Sequence, residues 1–98
     1  MNISPRVADR VARDFLGKRT SQVLELLSSL DLGGTSIEGD ERICGAILII
    51  ADGDLDRLIN AAAEAEIDWR DVLVLAGLEN EDWPQRLDDV LGPGPTDP

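Results

Sequence analysis

The stretch Ile43-Cys44-Gly45-Ala46-Ile47-Leu48-Ile49-Ile50-Ala51 has no polar side chain except a thiol, and its conformation decides the architecture of the chain. A run this apolar is either a helix covered on all sides or a central strand, and periodicity alone does not separate the two. The flanking residues do. Asp40 stands before the run as a helix N-cap, and Asp52-Gly53-Asp54 after it makes a turn ending in another cap. Leu55, Leu58, Ile59, Ala62 and Ala63 then repeat at helical spacing, which predicts a helix over 54–66. Asp68 caps the next segment, with Asp71 in a capping-box position. There Trp69, Val72, Leu73 and Ala76 share a face until Gly77 stops the helix. Strands at 43–50 and 72–75 would give a βαβ unit, but a parallel pair needs cover on both faces and more strands beside it. The better reading is all-α: a compact bundle of five to six short helices around a central helix at 40–51.

Outward from that centre, Ser4-Pro5 opens a basic helix over 5–17, with Val7, Ala8, Val11, Ala12 and Phe15 on one face and Gly17 as its stop. Thr20 or Ser21 caps a second helix whose inward stripe is Val23, Leu24, Leu27 and Leu30, widened by Leu26. Asp31-Leu32-Gly33-Gly34 breaks it, and the chain to Gly39 reads as loop. A last short helix starts at Asp82-Trp83-Pro84 and sets Trp83, Leu87 and Leu91 on one face. Residues 1–91 thus read as one helical domain, a basic first helix on an acidic body at 20–91. Residues 92–98 read as a flexible Gly/Pro tail.

Four short blocks together resemble a pattern found in small uncharacterised bacterial proteins: Glu41-Arg42-Ile43 through Leu48, Gly53-Asp54-Leu55, Asp68-Trp69-Arg70-Asp71-Val72-Leu73 and Ala76-Gly77. In that group Lys often interrupts the first hydrophobic segment, which implies a partly exposed helix. Here Ile47-Leu48-Ile49-Ile50 is uninterrupted. The resemblance implies caps and core, and no activity, substrate or catalytic residue.

The chain has 98 residues, with 9 Lys and Arg against 20 Asp and Glu, a formal charge of −11. Leu, Ile, Val and Phe number 29, enough to argue against general disorder. Such a negative surface argues against direct nucleic-acid binding, because phosphate contacts need a positive footprint. No apolar run reaches the roughly 18 residues of a membrane span, and no signal-peptide core opens the chain, so no membrane is expected. The single Cys44 excludes an internal disulfide, which fits a reducing cytoplasm. The absence of His removes the commonest general base and metal ligand.

The remaining chemistry is thin. Asp52, Asp54 and Asp56 alternate like a calcium loop, but the sixth and twelfth positions, where Gly and Glu belong, hold Arg57 and Ala63. The three read as a turn and a helix N-terminus instead. Gly17-Lys18-Arg19-Thr20 lacks the upstream glycine of a phosphate loop and keeps Lys and Thr apart. Cys44 lies in an apolar run, where burial makes a thiol inert. Ser28, Ser29 and Ser36 have no basic partner nearby in sequence and no nucleophile elbow. No cofactor, metal or catalytic residue is expected.

Charge is unevenly placed: residues 1–19 carry +3 and residues 20–98 carry −14. Arg6, Arg10 and Arg13 form one stripe beside the Val7/Val11/Phe15 face, and this predicts a first helix lying against an acidic body. With Trp69 and Trp83, these arginines are the candidate interaction surface. The function this implies is a non-enzymatic, cytoplasmic protein–protein interaction module with a protein partner, and a homodimer if the central helix is left uncovered. The alternatives are an acidic inhibitor or nucleic-acid mimic in a basic groove, and a small carboxylate- or divalent-metal-dependent enzyme.

Overall fold

The chain folds around the apolar run, which is helical. The computed structural model describes residues 1–30 and 37–92, with side chains from 39 in the second span. It consists of α1 (Pro5–Asp14), α2 (Lys18–Ser29), α3 (Ile37–Ala51), α4 (Leu55–Ala76) and α5 (Trp83–Leu91). No strand occurs among the described residues. Helix α3 is the hub: α1, α4 and α5 all pack on it, and α2 packs on α1. Ile43, Cys44, Ala46, Ile47, Leu48 and Ala51 are buried, and Ile49 and Ile50 half-buried. The neighbours therefore cover most of the apolar run and leave Ile49 and Ile50 partly accessible at its end.

The caps follow the residue chemistry in three places. The Ser4 hydroxyl accepts from the Val7 amide at 3.3 Å, and the Asp54 carboxylate accepts from the Arg57 amide at 3.1 Å. Asp68 accepts from the Arg70 amide at 3.1 Å, yet it does so inside α4. Its extended backbone (φ −153°, ψ 100°) kinks that helix into arms over 55–67 and 69–76, where two separate helices were expected. Gly77, at φ +76°, ends the second arm in the left-handed conformation, with the Leu78 amide returning to the Leu73 carbonyl at 2.9 Å.

Other boundaries differ from the sequence reading. Asp40 is no cap, because α3 begins three residues earlier, at Ile37. Instead its buried carboxylate accepts from the Asn2 amide at 2.9 Å, 38 residues away. Residues 37–39, expected as loop, are helical; the rest of that loop, 31–36, and the tail from 93 lie outside the described residues. Helix α1 stops at Asp14 rather than at 17, since Phe15 turns extended (φ −130°) to bury its ring. Neither Thr20 nor Ser21 caps α2. That helix starts at Lys18 behind Gly17, while the Thr20 hydroxyl donates back to the Phe15 carbonyl.

The tightest helix contact uses Gly45. A Cβ there would lie 2.3 Å from Leu87 Cδ1, so any side chain at 45 would force the Leu87 side chain to move.

Phe15 is fully buried whereas its neighbour Leu16 is 77% exposed. Phe15→Ala is therefore expected to cost about 3–5 kcal/mol. Leu16→Ala is expected to change stability by less than about 0.5 kcal/mol. Urea unfolding of both variants checks the pair, and equal effects would contradict this packing.

Candidate functional site

The basic stripe faces inward toward the end of α5. The last carbonyls of a helix have no partner within it and carry its negative dipole end, so guanidinium groups satisfy them well. Arg10 donates to the Val90 carbonyl at 2.6 Å and Arg13 to that of Leu91 at 3.4 Å. Arg6 reaches the Gly92 carbonyl at 3.2 Å. Arg6 also pairs with Glu41 at 2.7 Å and with Asp88, and Arg10 pairs with Asp14 at 2.9 Å. The Arg6 hydrogen bond holds the Glu41 carboxyl below its ordinary range, and Glu41 in turn raises the Arg6 guanidinium. Val7 and Val11 are buried on the adjacent face, so the first helix is docked through its apolar side, with the arginines around that contact.

The tryptophans lie elsewhere. Trp83 is half-buried under the Arg42 guanidinium, 4.8 Å from its ring centre, and Arg42 also donates to the Leu78 carbonyl at 2.8 Å. Burial lowers the Arg42 pKa. Trp69 is half-buried just past the kink, with Arg70 5.6 Å over its ring. The five candidate surface residues thus enter three separate sets of contacts. Arg6 and Arg10 each direct two guanidinium nitrogens to partners inside the molecule, and Arg13 directs one.

A different feature is open to solvent. The two arms of α4 and the end of α3 enclose an open cleft of about 270 Å³. Its apolar lining is Ile50, Ala61, Val72 and Leu75, and its polar lining is Arg57, Asn60 and Glu64. Leu75, which lines it, is 71% exposed, and Val74 and Ile67 are exposed elsewhere on the same two arms, although each is a large aliphatic side chain. Sequence reasoning missed the cleft, but the signal was present: these three residues fall off the stripes that build the core. The kink at Asp68 brings Val72 and Leu75 across from Arg57, Ala61 and Glu64 on the first arm.

Groups capable of catalytic chemistry are dispersed. Cys44 is fully buried, and its thiol is pushed up to about 12, first by desolvation and then by the charge of Asp40. Asp52, Asp54 and Asp56 line a shallow depression of about 500 Å³ with Arg19 and are all exposed. Among the described residues, no group of three or more His, Cys, Asp or Glu is placed to hold a metal ion. None of their helices is long and apolar enough to cross a membrane. No protein-family profile, curated protein or solved structure matches the chain.

The Arg6–Glu41 contact is partly shielded, with side chains 15% and 20% exposed. Because Glu41 is depressed on folding, its contribution is complete above the ordinary value of about 4.5 and fades as pH falls through the folded value. Arg6→Met should thus cost about 1–3 kcal/mol at pH 7, and the gap from wild type should narrow at pH 3. Urea unfolding at both pH values measures it, and a gap that stays constant would refute the coupling. Cys44 should react with a thiol reagent only slowly until denaturant opens the fold. Rapid stoichiometric labelling of the native protein would show that α3 is incompletely covered.

Proposed function

We propose that this chain is a non-catalytic interaction domain that docks another protein on the α4 cleft. The observation that carries the reading is a contrast in burial. The apolar run of α3 is largely covered, yet Leu75 stays in water at a cleft lined also by Ile50, Ala61 and Val72. Scattered exposed aliphatics are ordinary, but one set at an apolar concave feature marks a candidate interaction surface. At about 270 Å³ the cleft falls below the roughly 300–1,000 Å³ of small-molecule sites and suits one or two anchoring side chains. The inert burial of Cys44 supports the non-catalytic part of the reading, as does the scatter of the exposed carboxylates. Docking through Val7, Val11 and Phe15 gives the basic helix a structural task, which leaves the cleft as the better candidate surface.

The test is position-dependent crosslinking in the native cell. A photo-reactive side chain at position 75 is expected to give a discrete protein adduct, and one at the exposed position 89 is not. Asn60→Arg, at an exposed lining position, should abolish the adduct while leaving stability within about 0.5 kcal/mol. Identical adducts from both positions, or adducts indifferent to Asn60→Arg, would remove the cleft from the mechanism.

A further inference from the structure

Resting on the reading of the α4 cleft as a docking site, we propose that its occupant is a basic amphipathic helix of another protein. Its apolar side sits on Ile50 and Leu75, and its Lys and Arg side chains lie over the carboxylates around the kink. Charge is the first argument. Glu64, Glu66, Asp68 and Asp71 are all exposed within eight residues, with Arg70 the one base among them, and Arg70 lies over Trp69. No ion pair among the described residues uses these four carboxylates, and Glu64 lines the cleft itself together with one base, Arg57. An apolar notch beside unpaired carboxylates complements a surface that alternates aliphatic and cationic groups. A second copy of this chain is disfavoured on the same ground, since each copy carries −11 and would set like charges face to face.

Backbone chemistry selects a helix. An extended peptide gains affinity by adding to a sheet edge, and the described residues contain no strand to supply one. A helix satisfies its own amides and carbonyls and docks through side chains at i, i+3, i+4 and i+7, which suits a cleft formed by helical arms.

The test measures fluorescence anisotropy of three labelled peptides with the full chain. The first is an amphipathic Leu/Lys helix of about 18 residues, or five turns. The second is its Leu/Glu counterpart with the same apolar side, and the third a scrambled Leu/Lys peptide of identical composition. The basic amphipathic helix is expected to bind saturably at one to one, and Leu75→Asp to weaken it about tenfold or more. The double variant Glu64→Lys/Asp71→Lys should also weaken it and flatten its salt dependence. All substituted positions are exposed, and circular dichroism verifies that the variants fold. Equal binding of the scrambled peptide, or indifference to Leu75→Asp, would reduce the effect to general charge attraction and overturn the proposal. Tighter binding of the Leu/Glu helix at the cleft would overturn the basic partner while leaving the docking site standing. Binding of none of the three would overturn it too, with the crosslinking from position 75 still judging the docking site separately. Dimerisation seen by light scattering and lost in Leu75→Asp would seat a second copy there and refute it.

Discussion

Helix α3 can exist in water only if something covers all of its circumference, and this requirement organises the other four helices. From Ile43 to Ala51 it has no polar side chain beyond a thiol, so every face exposed would cost burial worth roughly 25 cal/mol per Å². Helices α1, α4 and α5 each take one side of it, and α2 backs α1 from outside. The polar residues that precede the run serve the same end. Glu41 anchors Arg6 of α1, Asp40 receives the Asn2 amide, and Arg42 ties α3 to the Leu78 carbonyl ahead of α5. The buried helix is thus fastened to its covers at its own N-terminal half, where charge is tolerable, and joined to them by close packing beyond it. Gly45 marks the change from one mode to the other, letting Leu87 press against the backbone.

Features set within one turn of helix could be read directly from residue order. Ser4, Asp54 and Asp68 accept hydrogen bonds from amides two or three residues on, as cap chemistry requires, and Leu55/Leu58/Ala62 and Trp69/Val72/Leu73 face inward as their spacing demands. What depends on distant partners was not readable. A carboxylate at the edge of an apolar run looks the same whether it caps a helix or, like Asp40, meets an amide 38 residues away. Phe15 belongs to the stripe of α1 by spacing, but the ring is buried by leaving the helix. The cleft was hidden for a similar reason. Ile67, Val74 and Leu75 are visible as off-stripe residues, but only the kink at Asp68 sets the two arms around one hollow.

The electrostatics divide into an internal and an external part. Arginines 6, 10 and 42 are half-buried and spent on carboxylates, backbone carbonyls and an aromatic ring within the fold. Among described residues this leaves 14 exposed acidic side chains against 6 exposed basic ones. The outer surface therefore keeps the acidic excess of the composition. That field disfavours self-association at ordinary ionic strength and favours cationic partners at long range.

The arginine contacts on the last turn of α5 also order events in time. Arg6, Arg10 and Arg13 meet groups on residues 88–92, a separation of 78 to 86 positions along the chain. On a translating ribosome adding roughly 5–20 residues per second, α1 waits about 4–16 s before those partners are made. During that interval the valines of α1 and the apolar run of α3 lack one of their covers, so this part of the nascent chain stays adhesive until α5 has been made. Once α5 arrives, α1 and α5 are held by each other. Neither can then fray without releasing the other, and this makes the whole domain, rather than any one helix, the unit that unfolds.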